Sequence, residues 1–278
     1  MKTICVMNLK GGVGKTVTAA NLADLLAADH GKRVLLIDAD HQGNTSRFFR
    51  ADQNATTLRD ILAGDGEPYW PESVQRTGYE GLDIIPADMS LAELDVPGIS
   101  DVKVPWRLRD LLLAVGEDDA YDYVIVDMPP AFSLAARAAL AAADEVIVPI
   151  KLDAFSVDGM AELLRQIAAM RKVNSCLTLA GVLITMWRNI DVVNQAEKVL
   201  RSGSFPVFQT VIRQTDRVDE STFQRQPLRV YSPRSAACVD YRALVREYLG
   251  SREAARAVVR SEAENDASRE RGKDCGQG

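Results

Sequence analysis

Residues 8–17 read Asn8-Leu9-Lys10-Gly11-Gly12-Val13-Gly14-Lys15-Thr16-Val17, between an apolar run at 3–7 and a helix-like stretch at 18–28. A strand, a glycine-rich turn and a helix in that order are what a phosphate-binding loop requires. Glycines let backbone N–H groups close around phosphate oxygens, Lys15 supplies positive charge, and Thr16 offers a hydroxyl to Mg²⁺. The common form of this loop has glycine five residues before the Gly14-Lys15 pair, and here that residue is Leu9. A second lysine, Lys10, opens the loop instead. That departure narrows the function more than the loop does.

The 278 residues are 47% hydrophobic, enough to bury a sizeable core and to exclude global disorder. The apolar stretch before Asn8 is too short for a signal peptide, and no run approaches the roughly 18 apolar residues of a membrane span. The four cysteines, Cys5, Cys176, Cys238 and Cys275, are scattered without a Cys-x-x-Cys pair. A disulfide framework or cysteine metal site is therefore not expected, and a reducing, cytoplasmic compartment is. The net charge of −6 is unevenly spread: residues 185–249 carry 10 basic and 7 acidic groups, whereas 1–184 carry 17 and 26. A polyanion would have to meet the chain on that later segment, because the field is local.

Apolar or β-branched runs recur at 4–7, 33–37, 82–85, 123–126, 145–150, 177–185 and 207–212, with Ala/Leu-rich helical stretches at 18–28, 134–143 and 159–171 between them. Strands apolar throughout, alternating with helices, predict an α/β fold: a doubly wound, mostly parallel sheet with helices on both faces. One domain is expected over 1–250, with residues 63–81 as surface loop and 251–278 as a polar, partly disordered tail.

Two more strands are expected to end in acids. The run at 34–37 leads into Asp38-Ala39-Asp40-His41-Gln42-Gly43-Asn44, and that at 124–126 into Asp127-Met128-Pro129-Pro130. In open α/β sheets the site lies at the carboxyl ends of strands, so all three segments should converge on one crevice. Asp127 suits the acid that holds the Mg²⁺ shell. Asp38 and Asp40 share a face of an extended chain; one of them suits a water-orienting role and the other supports the metal's coordination.

These three motifs together resemble the ParA/MinD group of deviant Walker ATPases, and Thr210-Val211-Ile212-Arg213, Tyr231-Ser232-Pro233-Arg234-Ser235-Ala236 and the closing 241–249 segment resemble ParA in particular. The resemblance covers about 1–249 and is to the short ParA type, since no helix-turn-helix extension precedes the loop. It implies ATP and Mg²⁺ as cofactors, with nucleotide contacts from Lys10, Gly11, Gly12, Val13, Gly14, Lys15, Thr16 and Val17. Thr16, Asp127 and Asp38 are implied at the metal. Two ATP-bound monomers would face each other, Lys10 reaching the partner's phosphates and Asp40 orienting the attacking water in a slow hydrolysis. Departures from the family pattern are Leu9 for its usual Gln, Val17 for Thr, His41 for Pro and Arg213 for Pro.

The ParA reading implies an ATP-dependent homodimer that binds double-stranded DNA without sequence preference, at the nucleoid, and a ParB-like adaptor protein that stimulates hydrolysis. Candidate DNA contacts are Arg188, Lys198, Arg213 and Arg217, with Arg201, Arg225, Arg229 and Arg234 nearby; the alternative is that they pair with Asp216, Asp219 and Glu220. A MinD-like membrane helix is not expected, because the only sizeable apolar groups of 251–278 are Val258 and Val259. An iron–sulfur bridge fails for want of cysteine between Val6 and Ser175. The alternatives are a MinD-like or cargo-positioning ATPase acting on a protein or membrane partner and a metabolic ATP-dependent ligase on the same fold, and Lys10 counts against the ligase.

Overall fold

The seven apolar runs form seven parallel strands, and the central ones are apolar on both sides of the pleat and so must be covered twice. They are β1 (Lys2–Val6), β2 (Val34–Asp38), β4 (Leu82–Ile85), β5 (Tyr123–Asp127), β6 (Glu145–Lys151), β7 (Thr178–Trp187) and β8 (Val207–Arg213). The eighth, β3 (Gln75–Arg76), adds antiparallel to β4 at one edge, giving the order β3-β4-β2-β5-β1-β6-β7-β8. The computed structural model describes residues 1–64, 69–96, 104–153, 156–251 and 253. The expected tail over 251–278 lies outside these, apart from Ser251 and Glu253.

Eleven α-helices and one 3₁₀ helix (Met89–Asp95) accompany the strands among the described residues: α1 (Lys15–Ala28), α2 (Asn44–Phe48), α3 (Leu58–Ala63), α4 (Trp70–Ser73), α5 (Val104–Glu117), α6 (Leu134–Ala142), α7 (Ser156–Met170), α8 (Asp191–Arg201), α9 (Asp216–Gln224), α10 (Leu228–Tyr231) and α11 (236–251). Alternate residues of each central strand feed two separate cores. Cys5, Leu35, Ile37, Val124, Val126, Val146 and Val148 pack toward α5, α6 and α7. Ile4, Val6, Val34, Leu36, Ile125 and Ile147 pack toward α1 and α11. The sheet is thus sandwiched, as the doubly wound reading requires.

Residues 63–81 depart from the expected surface loop, since α4 and β3 lie within them. Trp70 docks edge-on to Tyr121 and donates its indole N–H to Asp118, and Gln75 brackets the backbone of Asp52 through both its amide atoms. These long-range partners hold α4 and β3 in place although the composition of the stretch carries no periodicity.

Helix α1 is buried on nearly every side, so its polar residues need protein partners. Asn21 accepts from Leu228 N at 2.9 Å, and Asp24, 1% exposed, receives Arg229 in two 2.9 Å bonds. The helix that leaves the glycine-rich loop therefore holds α10 directly. Tyr241 of α11 meets Thr18 at 3.1 Å from the other side.

Candidate nucleotide site

Strand register brings the three motifs level. Val6 pairs with Asp127, and Asp127 pairs with Asp38, so β1, β5 and β2 end side by side. From β1 the chain turns through Gly12 (φ +71) and Gly14 (φ +85), left-handed conformations that favour glycine. Gly14 caps α1 without a side-chain bond, which leaves the first-turn N–H groups for an anion. The loop is fastened from outside: Asn8 donates to Pro149 O at 2.7 Å and accepts Lys10 N at 2.9 Å, while Thr185 Oγ1 donates to Val13 O at 2.8 Å.

The two lysines differ sharply. Lys15 is 7% exposed, and burial holds its ammonium below the ordinary lysine range, against the pull of Asp127 and Asp40. Its Nζ donates to Lys10 O at 3.1 Å. Lys10 instead projects to the rim, its side chain 42% exposed and ion-paired with Asp153.

Asp127 is fully buried at the foot of the loop. Its Oδ2 accepts from Thr16 Oγ1 at 2.7 Å and Thr45 Oγ1 at 2.6 Å, while Oδ1 has no protein partner. A buried carboxylate oxygen left unsatisfied beside a threonine hydroxyl suits a hard cation that takes oxygen ligands. Asp38 is equally buried but fully engaged: Oδ2 accepts from Ser46 N (2.8 Å) and Ser46 Oγ (2.7 Å), and Oδ1 from Asp40 N (3.2 Å). Its oxygens thus fix the turn that carries Asp40. Burial raises both carboxyls above the usual carboxylate range, and the Asp127 charge adds to the rise at Asp38.

These raised values have a consequence for stability. As pH climbs past the ordinary aspartate value of 3.8, the unfolded chain gives up its protons first, so the nucleotide-free fold loses stability until both buried acids have ionised. Asp127→Asn removes one buried charge. It should leave the nucleotide-free protein on the order of 1–3 kcal/mol more stable at pH 8 while abolishing the Mg²⁺-dependent part of ATP affinity. Urea unfolding and calorimetric titration with and without Mg²⁺ check the two signs separately.

Asp40 occupies the turn between β2 and α2, its side chain 11% exposed. Oδ1 accepts Gln42 N at 3.0 Å, and Gly43 N closes the turn onto Asp40 O at 2.8 Å. Gly43 has φ +60, and a Cβ there would lie 2.4 Å from Gln53 Nε2 and 2.8 Å from Ala87 O, so only glycine fits. Beside the loop opens a cleft lined by Gly14, Val17, Met186, Ile212, Thr215 and Tyr241. Met186 has φ +51, strained for a residue with a side chain.

The candidate DNA-binding residues divide into two sets. Arg213 is fastened to Asp240 by Nε and Nη2, and Arg217 donates to Glu220 at 2.6 Å. Arg201 is tied to Glu197 and to the carbonyls of Phe208 and Gln209, and Arg229 to the buried Asp24. Arg188, Lys198, Arg225 and Arg234 are exposed and make no ion pair among the described residues. Three site residues carried no reading in the sequence: Thr45, Ser46 and Asp153. The two hydroxyls directly after Gly43-Asn44 were the available signal for the first pair.

A phosphate loop with one lysine buried among carboxylates and a second at its rim defines a deviant phosphate-loop nucleotide-binding protein. Residues 1–179 match the family described as AAA domain. The chain is 37% identical over 254 residues to chromosome partitioning protein ParA of Caulobacter vibrioides, covering 90% of this chain and 94% of that one. It is 35% identical over 255 residues to the sporulation initiation inhibitor protein Soj of Bacillus subtilis, covering 88% and 97%. Among solved structures, a Mycobacterium smegmatis cobyrinic acid a,c-diamide synthase with bound ADP and magnesium is similar, with TM-score 0.74, 27% identity and coverage of 88% and 92%. The chain belongs to the ParA-type partition ATPase family. No helix among the described residues is long and apolar enough to cross a membrane.

Proposed function

We propose that the chain is an ATP-driven DNA-partition switch whose ATP-bound form is a face-to-face dimer. The single observation that carries this reading is the contrast between its two loop lysines. Lys15, buried, serves the chain's own phosphates. Lys10, 42% exposed at the rim, is free to reach the nucleotide of a second copy once its pair with Asp153 opens. A cation delivered only on dimerisation offsets phosphate charge that would otherwise drive two nucleotides apart. The solved relative with bound ADP and magnesium supports ATP and Mg²⁺ as the cofactors.

Within each copy the N–H groups of 11–16 cradle the phosphates, and Thr16 and Asp127 Oδ1 hold Mg²⁺, with Asp38 bracing the turn behind them. When bound, Mg²⁺ neutralises charge on the terminal phosphates. Asp40 orients the attacking water, so ATP hydrolysis is slow and serves as a timer. The dimer binds double-stranded DNA without sequence preference through exposed arginines and lysines, Arg188 and Lys198 first, at the nucleoid within the cytoplasm. A ParB-like adaptor stimulates hydrolysis and resets the switch. The partition relatives support this output over a metabolic one.

Gly11→Val tests the face-to-face arrangement. Gly11 is exposed, and a Cβ there meets nothing within 4 Å in the monomer, so the variant should fold and bind ATP normally. It should stay monomeric by analytical ultracentrifugation with ATP and Mg²⁺. A native-like ATP dimer would contradict the proposed contact.

A further inference from the structure

His41 follows Asp40 on the turn between β2 and α2. Its ring carries two nitrogens, one a donor and the other an acceptor in the neutral form. Gln42 Nε2 lies 3.0 Å from His41 Nε2 and donates to it, so the proton of the neutral ring sits on Nδ1. Nδ1 stands 3.7 Å from Asp40 Oδ1, the oxygen that already accepts Gln42 N at 3.0 Å. Among the described residues no donor reaches Asp40 Oδ2. The turn itself is pinned at both ends, by Asp38 on Asp40 N and by the obligatory Gly43. What remains adjustable is the rotation of the Asp40 carboxylate about its own bonds.

We infer that His41 is a positioning residue for Asp40: its Nδ1–H, together with Gln42 N, holds Oδ1 and leaves Oδ2 as the oxygen offered to the attacking water. The inference rests on the reading of Asp40 as the water-orienting acid. The 3.7 Å separation is beyond hydrogen-bond reach, and catalytic hydrogen bonds that are long without ligand often tighten only in the reacting complex. Phenylalanine at this position keeps the ring and loses the donor. Asparagine keeps a donor, its Nδ2, close to where Nδ1 stands.

The test is single-turnover hydrolysis of ATP with Mg²⁺, with ATP affinity measured separately, for His41→Phe, His41→Asn and Asp40→Asn. His41→Phe should slow hydrolysis about fivefold at unchanged ATP affinity, the scale of one ordinary net hydrogen bond. His41→Asn should stay within about twofold of the native rate, and Asp40→Asn should fall below both. A native rate in His41→Phe, or an equal fall in His41→Asn, overturns the inference while Asp40→Asn still collapses. A native rate in Asp40→Asn overturns the Asp40 reading and the inference with it. Nitrogen-15 NMR of the nucleotide-free protein adds a readout independent of turnover: the neutral His41 ring should carry its proton on Nδ1, and protonation on Nε2 would contradict the arrangement.

Discussion

Lys15→Ala should abolish nucleotide binding, raising the ATP dissociation constant by about 100-fold or more. Lys15 is 7% exposed, and among the described residues its ammonium has one hydrogen-bond acceptor, Lys10 O at 3.1 Å, so its remaining donors are available to phosphate oxygens. Charge-assisted bonds of about 1.5–3 kcal/mol each, two of them lost, account for a change of that size. The substitution also strips Asp127 and Asp40 of a nearby cation, which deepens the loss because two carboxylates then face the incoming phosphates. Calorimetric titration with ATP and Mg²⁺ measures it, and an affinity within tenfold of native would undo the loop assignment.

Asp40→Ala should trap the ATP-bound dimer, with hydrolysis reduced by about 100-fold or more, the scale of a lost general base. Its backbone contacts, to Asp38 Oδ1 and from Gly43 N, do not involve the side chain, so the turn should survive. Among the described residues the side chain gives up one hydrogen bond, the Asx-type bond from Gln42 N, and its approach to His41. ATP affinity should therefore remain while turnover disappears, and the dimer should persist long after a native sample has reverted to monomer. Sedimentation and phosphate release over time report both, and unchanged turnover would mean that another group orients the water.

The strands were legible because a parallel strand covered on both faces must be apolar along its length, and seven such runs stand out between Ala/Leu-rich helices. The phosphate loop was legible because backbone cradling demands glycine, lysine and threonine at fixed spacing. Strand β3 was not, since two residues carry no periodicity and only the pairing with β4 makes them a strand. Nor were the different circumstances of Asp38 and Asp127. Both end a strand and both are buried; the hydroxyls of Thr16 and Thr45 meet one oxygen of Asp127 and leave the other bare, while Ser46 and the backbone N–H of Asp40 engage both oxygens of Asp38. The arginines of 185–249 look alike in sequence, yet Arg213 and Arg229 take their partners, Asp240 and Asp24, from helices elsewhere in the fold, whereas Arg217 pairs with Glu220 one turn on in its own helix. Side-chain pairing across elements is a tertiary property, and charge counts along the chain do not contain it.

Binding to unrelated double-stranded DNA with ATP, with ADP and without nucleotide, repeated over a range of salt concentrations, tests the switch most directly. The account predicts tight binding with ATP alone, weakening steeply with salt as phosphate contacts release counterions, and lost first in Arg188 and Lys198 variants. Equal binding in all three nucleotide states, or none with ATP despite a formed dimer, would contradict it.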